Sequence, residues 1–546
     1  MSHTLEELRM ADDAQERYDY VVVGAGSAGA VLAARLSEDP ALSVLLLEAG
    51  GADDADEIKI PAAFSGLFKT RWDWNYTTTG QHQLGGRGAY WPRMKALGGS
   101  SSMNAMIYLR DNRADYDAWR DVHGAAGWGW DDVLAYFIRS EDNTRLGSPL
   151  HGQDGPLHVE DRRYTHCLTQ TWVESAVASG LKPTDDFNGT EQEGAGLYQV
   201  TCKNGRRWSV ADAYLRPALT RPNLTVRTGA HATRVMLTAG RATGVEYVRR
   251  GQVEAAYAEA EVVLSGGAVN SPQLLMLSGI GPAGHLREVG VDVRVDLPGV
   301  GQNLHDHPAC PVLWHTRDTT DLQEHLGLGA LLRWRARGNG PLTSNIAEGG
   351  AFFTSRDDLA APDLQAHIAP SGFYDNGLHE PTSRMFTAAP TLVDVKSRGR
   401  LRLRSTDPTW HPEIDPAYYE DRADLDAMVI GIQRMLDIAS RGPLARFVDS
   451  LARPVRTTED DIVQHVREMT QTLYHPVGTC AMGAGEQSVV DAELKVRGVE
   501  ALRVVDASVM PTVPRGNTNA PTVMIGEKAA DMIRGVPAPT STKDLA

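Results

Sequence analysis

A chain of 546 residues, 42% hydrophobic and 23% charged, holds apolar material for roughly three to four domains' worth of core, or for two large domains. Its net charge is −16 at pH 7, with 54 basic against 70 acidic residues, and no basic cluster interrupts that field, so nucleic acid is excluded as a partner. Four cysteines stand far apart without a CxxC pair, which reads as a reduced, cytoplasmic chain rather than a disulfide scaffold.

The first 20 residues are acidic and polar and lack the apolar core of a signal peptide. The longest uncharged apolar run, 20–34, is interrupted by glycine and serine and falls short of the about 20 residues a membrane span needs. No transmembrane segment is expected, and only peripheral membrane contact stays open. That same run opens the folded part of the chain. Residues 20–23 are a β-branched stretch suited to a buried parallel strand. Gly24, Gly26 and Gly29 follow in GxGxxG spacing, with Ser27 and Ala28 between them, and Ala28, Val31, Leu32 and Leu36 then recur at helical spacing. "SVLLLE" reads as a second strand ending at Glu48 and Ala49. Gly24 permits the tight turn, Gly26 lets the backbone approach a pyrophosphate, and Gly29 lets helix and strand pack closely. The helix start offers free N–H groups to phosphates, and Glu48 can accept from ribose hydroxyls. Glutamate disfavours a 2′-phosphate, so NADP is set aside while FAD and NAD both remain.

Further along, "RWDWNY" holds Trp72 and Trp74, and "GGSSSMN" (98–104) is a small-residue loop able to lie flat against a planar ring. Asn104 can offer its amide at such a ring's edge, or can simply close an Asx-turn. "HATRV" (231–235) reads as a strand, "NLHDHP" (303–308) would set His305 and His307 on one strand face, "RGRLRLRSTDP" (398–408) alternates as a half-exposed strand, and 424–440 is an amphipathic helix. No third ligand stands at a metal-binding distance from the two histidines, so no metal is expected. In "TLYHPVGTCAMG" (472–483), His475 is stiffened by Pro476. "LRVVDASVMP" reads as a strand ending near Asp506 and Ala507. "RGNTNAPTVMIGEKAADMIRG" writes in a helix start: residues 517–519 supply cap side chains, Pro521 sits in the first turn, and Gly535 stops it.

Residues 87–119, 266–282 and 475–533, with the glycine fingerprint, resemble the glucose–methanol–choline (GMC) oxidoreductase family, and the likeness spans residues 18–535. The resemblance implies an α/β protein with a doubly wound, Rossmann-like FAD-binding domain and a substrate domain built on a large antiparallel sheet flanked by helices. On that pattern 18–160, 205–310 and 470–537 form the FAD domain, 161–204 and 311–469 the substrate domain, and 1–17 and 538–546 flexible tails. The resemblance places Gly98, Gly99, Ser100, Asn104 and Ala105 along the isoalloxazine, Trp74 and the backbone of Ala232 against the cofactor, and Asp506, Ala507, Asn519 and Thr522 at its far side. Met103 stands where flavin-tethering members carry a histidine, which implies non-covalent FAD.

Within the same resemblance His475 and Asn519 form the catalytic pair. A neutral imidazole, of ordinary pKa about 6.5, can take an alcohol's proton, and an amide can hold the alkoxide that develops. Tyr474, Leu473 and Glu348 are the expected pocket residues, Glu348 resembling a position that binds ammonium in choline-oxidising members. Ala105 replaces a serine of a choline-specific member, so a neutral primary alcohol is favoured over choline. The reaction expected is oxidation to an aldehyde by hydride transfer to flavin N5, with electrons passed to a quinone-like acceptor, another carrier or O2. The alternatives are choline oxidation, a flavin-containing hydroxynitrile lyase of the same fold, a non-catalytic FAD-binding protein, and an NAD-dependent dehydrogenase.

Overall fold

A computed structural model describes residues 16–147 and 149–539. Most of the two expected tails therefore lies outside the described residues. The N-terminal signal folds as read. The strand Arg17–Val23 runs into the glycine turn, the helix Gly29–Leu36 follows, and the strand Val44–Leu47 returns parallel to the first, with Val21 beside Leu45. All four residues of Val44–Leu47 are buried. An apolar run without alternation suits this position, because both faces of a parallel strand are covered.

These strands belong to a seven-stranded sheet. In spatial order Leu224–Arg227, Val44–Leu47, Arg17–Val23 and Gln252–Leu264 run parallel, and Leu502–Val504 pairs parallel with the end of the last. The start of Gln252–Leu264 instead continues an antiparallel meander through Arg241–Arg249 to Ala230–Thr238. Both meander turns are two-residue loops with positive φ at each position, Ala239-Gly240 and Arg250-Gly251. That geometry matches the twist of the strands they join.

The second layer is an eight-stranded antiparallel sheet. Its main path runs Val448–Arg453, Val312–Thr316, Met385–Leu392, Leu364–Ala369, Gly349–Phe353, Gly194–Leu197, with Pro308–Ala309 linking Met385–Leu392 to Gln471–Thr472. The sheet thus runs one short strand beyond the expected 311–469 segment at each end. The helix Arg422–Ala439, legible at 424–440, packs on this sheet with Gly431 against Pro390. Two local expectations change. "NLHDHP" is not a strand, since only Leu304 and His305 form isolated bridges before Pro308. The alternating segment forms a strand only over Arg400–Arg402, though Leu401 and Leu403 are buried between exposed arginines as alternation requires.

The last helix, Asn519–Arg534, packs against Gly29–Leu36, where a Cβ on Gly526 would lie 3.0 Å from the Ala28 carbonyl oxygen. It ends at Gly535 in the left-handed region, as expected. Its start is not capped by a side chain: the cap position is Thr518, whose side chain makes no cap hydrogen bond. Two glycines of the fingerprint leave no room for a side chain. Gly24 has φ +101°, and a Cβ there would meet the Ser265 carbonyl oxygen at 2.4 Å. A Cβ on Gly29 would meet the Gly24 carbonyl oxygen at 1.9 Å. Gly29→Ala should therefore lower the denaturation midpoint by an amount corresponding to about 1–3 kcal/mol, the usual cost of overpacking. A variant as stable as the parent would refute this close packing.

Candidate active site

A continuous cavity runs from the C-terminal ends of the parallel strands, at Val23, Leu47 and Leu264, to the antiparallel sheet, at His367, Ala369, Thr387 and Ala389. Ligands of open α/β sheets collect at this end of the strands. Gly24, Gly26, Ser27 and Ala28 line it from the fingerprint, with Glu48 and Ala49 beyond the second strand. A Cβ on Gly26 would find only the Gly99 Cα, at 4.0 Å, so the side-chain position there opens onto the cavity. Glu48 is buried, and its carboxylate accepts from the backbone N–H groups of Ala25 at 2.9 Å and Gly50 at 2.8 Å. Those bonds tie the acid to the glycine turn. Trp74, stacked on Tyr76 and edge-on to His231, lines the wall beside Ala232.

The small-residue loop supplies Gly99, Ser100, Asn104 and Ala105. Asn104 does close an Asx-turn, its oxygen accepting from Met106 N at 3.0 Å. The same oxygen accepts from Arg207 Nη1 at 2.8 Å. Arg207 also donates to the Ile58 and Ser101 carbonyls, so this fully buried guanidinium clamps the loop. Burial pushes it down to about 10. Nothing local in the sequence marks Arg207 for that task. Gly29 and Gly98 do not line the cavity; they support the lining from behind, Gly98 N donating to the Ala25 carbonyl.

From the far side come Asp506, Ala507, Asn519 and Thr522. Asp506 accepts from Gly267 N, Ser271 Oγ and Ser508 N, joining the last strand to the helix Gly267–Leu277. The Thr522 hydroxyl donates to the Thr518 carbonyl at 2.7 Å.

The base region departs from the sequence reading at Asn519 and at Glu348. His475 sits 8% exposed at the cavity wall, after a sharp turn at Tyr474, whose φ is +72°. It is not carried on a strand. The backbone N–H of His475 donates to Asp306 Oδ1 at 2.8 Å, and Thr472 Oγ1 and the Tyr418 hydroxyl donate to Oδ2. The group that approaches His475 Nε2 is the Asn517 amide nitrogen, at 3.3 Å. Asn519 is turned elsewhere, its oxygen accepting from Ser27 Oγ at 2.8 Å. Asn519 thus joins the two helix starts, and Asn517 takes the place beside the imidazole. Glu348 is also corrected. It is fully buried outside the cavity, its carboxylate accepting from His166 N, Thr169 Oγ1 and Ser344 Oγ. Its neighbours Ile346 and Ala347 line the cavity instead, with Leu473 and Tyr474.

His475 Nδ1 lies 3.0 Å from His307 Nδ1. Two facing imidazole nitrogens need one proton between them. With the Asn517 amide donating to Nε2, the His475 proton sits on Nδ1 and donates to His307, leaving the Nε2 lone pair at the cavity. Burial holds His475 well below its ordinary pKa, helped by His307, His367 and Arg93. Burial also takes His307 and His367 down to about 3 and holds His305 well below its usual value. These imidazoles are neutral at working pH. Among the described residues no cluster of three His, Cys, Asp or Glu side chains forms a metal site, and no helix is long and apolar enough to cross a membrane.

The GMC oxidoreductase profile matches residues 18–309 with its N-terminal part and 395–526 with its C-terminal part. The chain belongs to the GMC oxidoreductase family. It is 42% identical over 527 residues to an alcohol dehydrogenase [acceptor] from Pseudomonas putida, covering 94% of this chain and 95% of that one. It is 42% identical over 546 residues to the mitochondrial choline dehydrogenase of Homo sapiens, covering 96% and 91%. A formate oxidase structure from Aspergillus oryzae, solved to study FAD modification, superposes with a TM-score of 0.90 at 28% identity, covering 96% and 99%. The chain is an FAD enzyme acting on CH–OH donors. The glycine cradle open at Gly26, the paired helix starts at Ser27 and Asn519, and the Glu48 carboxylate fit a dinucleotide of this kind.

The neutral imidazoles make stability depend on pH. His367 is held at about 3 when folded and returns to about 6.5 when unfolded. Between those values the unfolded chain binds more protons, so stability rises with pH there and is lost as pH falls from 6.5. His307 acts the same way. Asp306, raised to about 6 by burial, opposes them only between about 3.8 and 6. The contribution of these imidazoles to the unfolding free energy should thus drop as pH is lowered below 6.5. His367→Leu should flatten that slope by about one proton, or about 1.4 kcal/mol per pH unit, in denaturant titrations. An unchanged slope would count against a neutral, buried imidazole.

Proposed function

We propose that the chain oxidises a neutral primary alcohol to the aldehyde, with His475 as general base and Asn517 holding the substrate oxygen. The observation that carries this reading is the His475 Nε2 lone pair beside an amide N–H donor, in a cavity continuous with the dinucleotide cleft. His475 Nε2 takes the hydroxyl proton. The Asn517 N–H then donates to the oxygen as negative charge develops on it, a bond that strengthens toward the transition state. When bound, FAD would supply two-electron acceptance, taking the hydride that leaves the carbinol carbon. Asp306 and the turn at Tyr474 fix the backbone that presents the imidazole.

The wall around the base supports a neutral substrate. Phe64, Phe68, Phe373, Ile346, Leu473 and Ala309 line the cavity that His475 faces, and Phe68 packs on Tyr474 with ring centroids 5.7 Å apart. The carboxylate suggested for a cationic headgroup, Glu348, is spent on three donors away from the cavity. An aliphatic or aryl alcohol therefore fits better than choline, although relatives are named choline dehydrogenase. Met103 lines the cavity with a thioether, which lacks the nucleophilic nitrogen a covalent flavin link uses. Non-covalent FAD follows from that chemistry. A quinone-class carrier is the proposed acceptor; the name of the Pseudomonas relative gives an acceptor without its class. The proposed compartment is the cytoplasm, where the four free cysteines remain reduced.

An aliphatic or aryl primary alcohol should bleach the bound flavin anaerobically, which a lyase would not do. His475→Ala should slow that reduction by about 10²–10⁴-fold with FAD retained. In the wild-type protein the acid limb of the reduction rate should lie below pH 6.5, because the folded imidazole is held below its ordinary pKa. Turnover of one alcohol in air, then with an artificial acceptor under nitrogen, distinguishes a carrier from O2. A flavin that stays oxidised with every primary alcohol tried would end this reading.

A further inference from the structure

Asn517 can serve the proposed reaction only one way round: its NH2 must face His475 and the substrate oxygen. A primary amide is nearly symmetric in shape, so packing alone does not choose between its two orientations. A chain of hydrogen bonds behind Asn517 does choose. It begins at the backbone carbonyl of Ala366, which can only accept. The Tyr198 hydroxyl donates to it at 2.8 Å. With its proton committed, the Tyr198 oxygen accepts, and Gln365 Nε2 donates to it at 3.2 Å. The same Gln365 NH2 group has a second hydrogen, which it donates to Asn517 Oδ1 at 3.3 Å. Asn517 Nδ2 is thereby turned to His475 Nε2.

From this sequence of contacts we infer that Gln365 is a positioning residue that sets the polarity of Asn517, and through it the tautomer of His475. The inference rests on the proposed roles of Asn517 and His475. Every link has its direction set by the one before: carbonyl, hydroxyl, amide, amide, imidazole, imidazole. At the far end the His475 proton is driven onto Nδ1, toward His307 Nδ1 at 3.0 Å, and Nε2 is left unprotonated, so that an alcohol hydroxyl can replace the Asn517 N–H as its donor.

Gln365 is fully buried on the strand Leu364–Ala369 and does not line the cavity. Its own carbonyl oxygen is buried without a partner. An amide held for its packing would be replaced at lower cost by an apolar side chain of similar length. This one leaves an acceptor unsatisfied while both hydrogens of its NH2 are used. Tyr198 is equally buried, packed among Phe187 and His367. The strand that carries Gln365 also presents His367 to the cavity two residues on, so the same sheet face supplies both the wall and the support behind it.

The test uses anaerobic flavin reduction by one saturating alcohol in the FAD-loaded protein. Gln365→Met keeps length and removes the donor. It should lower the limiting reduction rate by about tenfold or more while the KM for the alcohol moves by less than about threefold, because the lost bond acts mainly on the developing alkoxide. Gln365→Glu reverses the polarity. A carboxylate can only accept, so the Asn517 NH2 turns back toward it and a carbonyl faces His475 Nε2. That variant should be slower than Gln365→Met, and its acid limb should move to higher pH, since a facing carbonyl favours the protonated imidazole. Tyr198→Phe should shift both readings in the same direction by less. If the Gln365 variants do not retain FAD, Tyr198→Phe decides by the same shift. The inference is overturned if Gln365→Met and Gln365→Glu keep the parent's rate and pH profile while His475→Ala and Asn517→Ala are crippled. If those last two are also unimpaired, it is the assignment of the base that fails.

Discussion

A single buried carboxylate holds this active site together. Asp306 accepts from the backbone of His475, from the Thr472 hydroxyl and from the Tyr418 hydroxyl. Three stretches of chain that are remote in sequence thus meet at one group. The turn it holds carries a tyrosine at positive φ, a conformation that needs support from its surroundings. Arg93 adds some, donating to the Tyr474 carbonyl, and the Tyr474 hydroxyl donates to Asn376. Without Asp306 the histidine backbone would lose its fixed point, and the side-chain geometry that depends on it would go with it.

That anchor has an electrostatic counterpart. The imidazoles of His305, His307, His367 and His475 are buried together and all titrate low. Burial disfavours an added charge, and each neighbour would oppose a second one. A base placed here is neutral, weak and directional rather than strong. Its contribution lies in where its lone pair points, which is decided by hydrogen bonds on both of its nitrogens. The cofactor side obeys the same logic. Glu48 is tied to the Ala25 N–H of the glycine turn and to the Gly50 N–H after its own strand, and Ser27 is tied to Asn519, so the two helix starts are set relative to each other before any ligand arrives.

Much of the cofactor half was legible because its signals are local. A glycine turn between a strand and a helix is written within about fifteen residues, and Gly24 and Gly29 answer steric demands of that turn. The amphipathic helix at 424–440 and the helix stop at Gly535 were equally local. The errors have a common cause. Asn517 and Asn519 are two residues apart in one motif, and only the approach geometry of the helix start decides which amide meets the histidine. Glu348 follows two cavity-lining residues, yet its own side chain points into the protein to three donors. "NLHDHP" read as a strand face carrying two histidines, whereas Asp306 supports the base backbone and His307 its ring.

Apart from the histidine, which the family resemblance marked, the sequence by itself determined the glycine cradle and the strand–helix–strand unit that starts the parallel sheet. These follow from short-range sterics and periodicity, which neighbouring residues suffice to express. Only the tertiary structure decided which amide partners His475, what clamps the loop at Asn104, and which way each hydrogen bond behind the base runs. Arg207, Asp306, Tyr198 and Gln365 reach their partners across long stretches of chain, and a direction set by donors and acceptors from several strands exists only once those strands are packed.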